Sequence, residues 1–213
     1  MGQSRRKNEH EAKGINDADG FVQSMVSSGI LREEWPEYRL VIPAEEPVSR
    51  QVCQLRREWE IQYGSENMQI TEKPPNITMA CLVMREEMEE MLLRWLQRLC
   101  HMQTSFRVTL NNFSAIPPQT VYIRVQDPVP FKWLHEQLRA MDRFFPGQEG
   151  QRPRIFEKPF IKMGSLTANT ERKTIFAYTH QLFYASFMAR RMLLLKSSGE
   201  EWKSIGIFPF RDE

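Results

Sequence analysis

The apolar residues of this chain fall into short runs of strand length and periodic stretches of helix length, and the two kinds alternate in the same order twice. Residues 38–42, 77–83, 106–110, 120–125 and 160–166 read as strands. Between them, Val48, Val52, Leu55 and Trp59 step by four, three and four and so share one helical face. Met88, Met91, Leu92, Trp95, Leu96 and Leu99 form a second stripe, with Glu86, Glu87, Glu89 and Glu90 at its start and Arg94 and Arg98 toward its end, a polarity that suits the helix dipole. Phe131, Leu134, Leu138 and Met141 form a third after Pro128 and Pro130. A helix from Asn169 or Thr170 to about His180 is expected next, then strands at 186–195 and 202–210. Polar or Gly/Pro-rich loops fall at 64–75, around Pro117 and Pro118, and at 146–154. The order strand–helix–strand–helix–strand, given twice with one more strand at the end, describes an α+β chain of two similar units. It is not a Rossmann run, and neither GxGxxG nor GxxxxGK[ST] occurs, so no glycine loop supports phosphate binding.

With 41% hydrophobic and 26% charged residues, the 213-residue chain can bury a core of its own. Residues 1–16 are the exception, polar and charged, and are expected as a disordered tail. Residues 17–213 are expected as one two-lobed domain, opened by a short helix at 17–30 with Asp17 or Asp19 as its cap and Phe21, Met25 and Val26 on one side. Gly2 begins a myristoylation pattern that Arg6 breaks. The balance of 29 Lys+Arg against 27 Asp+Glu, a net charge of +2, speaks against a dedicated duplex-DNA binder, though not against a local basic patch. No apolar run nears the roughly 18 residues of a membrane span, and the start lacks the apolar core of a secretory signal. Three widely spaced Cys make neither a disulfide framework nor a CxxC site, which fits reduced thiols and a cytoplasmic location.

The histidines give no constellation. His10 lies in the tail, His101 ends a helix, His135 beside the inward Leu134 is expected to face outward, and His180 stands near a helix–strand junction. None is spaced as a metal pair, and neither metal nor cofactor is expected. The Met88–Leu99 stripe reads as core and the four Glu as a solvated face. Arg152, Arg154 and Lys158 near Phe156 and Phe160 fit either nucleic-acid contact by charge and stacking or ordinary loop surface.

Two segments bear on function: Pro75-Asn76-Ile77-Thr78-Met79-Ala80 and Pro159-Phe160-Ile161-Lys162-Met163-Gly164, with positions 78 and 162 lying 84 residues apart. In these segments, and in the layout of residues 38–210, the chain resembles the two-histidine phosphoesterase superfamily, the 2'-5' RNA ligase and cyclic nucleotide phosphodiesterase group. The resemblance implies two α+β lobes around a central cleft, each an antiparallel sheet with helices outside, and in each lobe a strand carrying His-x-Thr/Ser. One His of that family takes a proton from the attacking hydroxyl or water, the other protonates the leaving oxygen, and the hydroxyls hold the phosphate. Here the histidine positions hold Asn76 and Phe160, and the hydroxyl positions hold Thr78 and Lys162. Asn does not exchange a proton near neutral pH, and Phe has neither donor nor acceptor.

The resemblance therefore implies a catalytically degenerate protein, with Asn76, Thr78, Phe160 and Lys162 as candidate ligand-binding residues and no catalytic residue. Its partner would be a nucleotide, an RNA end or another protein, with no membrane and no duplex DNA. The alternative is an active phosphodiesterase or RNA ligase using other residues. Strand alternation would put Phe160, Lys162 and Gly164 on one face and Ile161, Met163 and Ser165 on the other.

Overall fold

A computed structural model of the chain describes residues 35–63, 68–70, 74–116, 120–145, 152–167, 172–198 and 201–212. The tail at 1–16 and the helix at 17–30 lie outside the described residues. The elements follow as β1 (Glu37–Pro43), α1 (Val48–Tyr63), β2 (Met68–Ile70), β3 (Asn76–Val83), a 3-10 turn (Glu86–Met88), α2 (Glu89–Met102), β4 (Phe106–Ile116), β5 (Thr120–Val125), α3 (Val129–Leu138), α4 (Met141–Phe144), β6 (Arg154–Ile155), β7 (Phe160–Leu166), α5 (Arg172–Thr179), β8 (Tyr184–Ala189), β9 (Arg191–Ser198) and β10 (Glu201–Pro209). The stretch at 64–75, expected as loop throughout, holds the short strand β2, and the loop at 146–154 runs into β6. Both are too short to show a period in sequence.

The strands form one sheet in the order β10-β9-β1-β3-β7-β5-β4-β8, with β2 added on β7 and β6 on β3. Every pairing among them is antiparallel. Its two halves, β10-β9-β1-β3 and β7-β5-β4-β8, join where Ile77 of β3 pairs with Ile161 of β7, and they are not the two units in chain order: β4, expected in the first, lies in the second half, while β9 and β10, expected in the second, lie in the first. Each central strand then leaves the other and takes a short strand from the opposite half. Ala80 and Cys81 pair with β6, and Gly164 to Leu166 pair with β2.

The halves share a defect as well as an order. Val41 and Leu40 of β1 pair with Thr78 and Ala80, passing over Met79. Tyr122 and Val121 of β5 pair with Lys162 and Gly164, passing over Met163. Each bulge adds one residue to a central strand and resets its alternation. The expected faces of β7 are therefore correct only as far as Met163. Beyond it Gly164 is buried and Ser165 half-buried, so Ser165 rather than Gly164 follows Lys162.

The stretch at 186–195, expected as one strand, is two. β8 pairs with β4 and β9 with β1, at opposite ends of the sheet, with only Arg190 between them. Six strand spacings of flat sheet would be about 29 Å, which one residue cannot span. The sheet therefore curls into a half-barrel. Arg190 O accepts from Phe210 N at 2.7 Å, and Arg211 O accepts from Ser105 N at 2.8 Å, fastening that end. The alternation slips by one residue here, from Phe187 and Ala189 to Met192 and Leu194, across the exposed pair Arg190 and Arg191.

Helices cover one face of the sheet: α1 against β7 and β8, α2 against β10, α5 against β4. Val48, Val52 and Trp59 of α1, and Phe131, Leu134 and Leu138 of α3 with Met141, are buried as their spacing requires. In α2 the buried residues are Leu92, Leu96, Leu99 and Cys100. Trp95 is half-buried against Phe145, and Met91, expected in the stripe, is 40% exposed. The four Glu are not all a solvated face, since Lys196 Nζ bridges Glu86 and Glu89 at 3.0 and 2.8 Å and Tyr38 OH donates to Glu89. Burial and the adjoining Glu89 carboxylate raise the Tyr38 phenol, while the two carboxylates hold the Lys196 ammonium in its charged form. His135 is buried, not outward: it stacks near Phe131, and its Nε2 meets no hydrogen-bond partner among the described residues. Cys53, Cys81 and Cys100 are free thiols. No described helix is long and apolar enough to cross a membrane.

Candidate functional site

Ile77 and Ile161 are fully buried in the helix-side core. Their chain neighbours Asn76, Thr78, Phe160 and Lys162 therefore project from the other face, where all four are half-buried. Because Ile77 and Ile161 pair across antiparallel strands, the fold brings the four expected residues together at the centre of the cleft.

Each is held differently. Asn76 Nδ2 donates to Pro74 O at 2.8 Å, and Asn76 Oδ1 accepts a long hydrogen bond, 3.5 Å, from Thr78 Oγ1. Phe160 packs against Tyr122 of β5, ring centroids 5.0 Å apart at 50°. The Lys162 carbonyl accepts from Arg56 Nη2 at 2.5 Å. Tyr122 and Arg124, cross-strand partners of Lys162 and Phe160, complete the second half, with Arg124 Nε donating to Asn111 O at 3.3 Å. Arg107 of β4 lies on the same side, 3.5 Å from Ser186 Oγ. In the first half, Arg39 pairs with Glu37 at 3.1 Å and lies 4.1 Å over the Trp202 ring. Arg39, Cys81 and Arg154 are successive cross-strand partners, and the Arg154 guanidinium stacks 4.9 Å from the Phe156 ring.

Of these, Tyr122 and Arg124 fall within the strand expected at 120–125, where they alternate with Val121, Ile123 and Val125. Arg56 was not singled out, though it falls on the α1 stripe between Leu55 and Trp59. Burial lowers its guanidinium to about 10, offset in part by Cys53. The described histidines stand elsewhere. His101 is exposed at the end of α2, His135 is in the helix layer, and His180 stacks on Phe176 with Nδ1 2.9 Å from Phe176 O. The centre of the cleft thus offers a cation, a hydroxyl, an amide and an aromatic pair. Such a set can attract and orient an anion and stack a flat ring, and the Asn76 amide and the Phe160 ring are not groups that exchange protons near neutral pH.

No family model and no curated protein matches the sequence. Solved structures do match the fold. TT0787 of Thermus thermophilus superposes at a TM-score of 0.65 and 17% identity, over 83% of this chain and 99% of that one. LigT of E. coli, solved in complex with 3'-AMP, gives 0.62 and 18% over 83% and 99%. A protein described as a phosphoesterase gives 0.60 and 15% over 82% and 98%. The fold is that of the two-histidine phosphoesterases, two α+β lobes joined at their central strands, as the resemblance implied.

Proposed function

We propose that this protein is a catalytically degenerate relative of the 2'-5' RNA ligases and cyclic phosphodiesterases that binds the phosphate of a nucleotide or RNA end without turning it over. The observation that carries this reading is the juxtaposition of Asn76, Thr78, Phe160 and Lys162 across the one pairing of β3 with β7. On the resemblance, these are the four positions of the two His-x-Thr motifs. The two that should transfer protons are an amide and a phenyl ring. What is left suits binding. Lys162 supplies a point charge for phosphate oxygens, Thr78 a hydroxyl donor, and the Tyr122–Phe160 pair a surface on which a base stacks. Arg124, Arg107, Arg39 and Arg154 add positive charge on the same side of the sheet. Support from likeness is limited to the fold, in which LigT was solved with 3'-AMP.

The test is fluorescence anisotropy of a labelled short RNA bearing a 3'-terminal phosphate. Salt-sensitive binding that weakens at least about tenfold in Lys162→Ala is expected. Binding unaffected by Lys162→Ala and by Phe160→Ala would place the ligand elsewhere.

A further inference from the structure

The duplication extends to the helices that lie behind the sheet. In α1 the inward positions run Val52, Leu55, Arg56, Trp59, and in α3 they run Phe131, Leu134, His135, Leu138, with the same spacing. Arg56 and His135 therefore hold equivalent places, one per lobe. Each is a polar residue set into an apolar stripe, 4% and 7% exposed. Polar groups at such positions cost desolvation free energy that apolar replacements would avoid.

Arg56 has a partner that accounts for its place. Its Nη2 reaches the Lys162 carbonyl, 106 residues on, at the point of β7 between the Ile161 pairing with β3 and the Gly164 pairing with β2. The bulge at Met163 begins at the next residue. A carbonyl there faces a gap between successive strand partners, and the guanidinium occupies it. We propose that Arg56 is a positioning residue of the anion site. From the helix layer it fixes the backbone of Lys162, and so the place where the Lys162 ammonium meets a phosphate, while adding a buried positive charge under that site. This rests on the anion-binding reading above and goes beyond it, because Arg56 itself never touches the ligand. His135 marks the equivalent point of the other lobe, where burial disfavours the charged form of the ring.

The test uses the full chain and 3'-AMP, with affinity measured calorimetrically for wild type, Lys162→Ala, Arg56→Gln, Arg56→Lys and Val52→Ala. Arg56→Gln is expected to weaken binding about tenfold. Arg56→Lys should restore it to within about threefold, because the charge returns to the same place. Val52→Ala, which loosens the same helix and leaves the Arg56 guanidinium in place, should bind as wild type does. In the wild type, the Arg56 guanidinium proton resonances should shift as 3'-AMP is added, a readout that does not depend on any variant folding. Full affinity in Arg56→Gln beside weakened Lys162→Ala, or guanidinium resonances that stay still while 3'-AMP binds, would overturn the role of Arg56 alone. A wild type that binds no 3'-AMP, or a Lys162→Ala variant that binds as well as wild type, would overturn the reading of the site and this inference with it.

Discussion

Ile77 and Ile161 face each other across the centre of the sheet, and each candidate site residue is the chain neighbour of one of them. Both isoleucines are fully buried on the helix side. The period of two in a strand then turns Asn76, Thr78, Phe160 and Lys162 to the cleft without any further device. A single cross-strand pair thus ties the stability of the fold to the composition of the site.

If Lys162 and Thr78 hold an anion, phosphate must stabilise the folded chain by linkage. At fixed ionic strength, raising phosphate should raise the melting temperature of the wild type. The shift should shrink in Lys162→Ala and, to a smaller extent, in Thr78→Val. Equal shifts in wild type and Lys162→Ala would show that the anion acts through general surface charge.

His135 predicts an acid-side loss of stability. Burial is the largest influence on its ring and lowers its affinity for a proton, Arg139 acts in the same direction, and Glu157 opposes them. The unfolded chain takes up a proton below about pH 6.5 that the folded ring resists, so stability falls as pH drops through that value. His135→Leu should flatten this part of the profile in urea titrations between about pH 7 and pH 5. An unchanged slope would mean that His135 is protonated alike in both states.

The α2 face predicts a contrast between neighbours. Leu96 is fully buried, and Leu96→Ala should cost about 2–5 kcal/mol in denaturant unfolding. Arg94 is exposed and, among the described residues, makes an i,i+4 contact with Glu90 at 3.6 Å, so Arg94→Ala should stay within about 0.5 kcal/mol. Comparable losses would mean the helix packs through another face.

Gly206 sits at the register shift between β9 and β10, beneath α2. A Cβ there would lie 2.6 Å from Phe208 Cζ and 2.9 Å from Leu93 Cδ2. Gly206→Ala should therefore destabilise the fold by about 1–3 kcal/mol, through overpacking of α2 against β10. Unchanged thermal unfolding would show that both side chains swing aside at no cost.

The elements legible in the sequence were those long enough to show a period. The α1 and α3 stripes, β5 and β7 lie where the spacing of Val52, Trp59, Phe131, Ile123 and Ile161 puts them. What failed to show has physical reasons. At Arg190 the sequence carries only a one-residue slip, Phe187 and Ala189 giving way to Met192 and Leu194, and that this slip sends β9 to the other side of the sheet is tertiary. The bulges at Met79 and Met163 appear only against the partner strands, so Gly164 was given the wrong face. The four cleft residues were found by resemblance, yet their being side by side depends on β3 meeting β7, which no local pattern encodes. Arg56 was passed over and His135 misplaced for a common reason. A polar residue next to an apolar stripe is ordinarily outside it, and here both are within it.

The central claim is that the cleft binds a phosphate ester and leaves it intact. Phosphorus NMR of a short RNA ending in a 2',3'-cyclic phosphate, incubated with the full chain, reads both halves at once. The account predicts a broadened or shifted cyclic-phosphate resonance that reverts toward the free position with Lys162→Ala, and no monoester signal above the protein-free control. A monoester resonance that grows with protein concentration and survives Asn76→Ala and Phe160→Ala would contradict it, because other residues would then be transferring the protons.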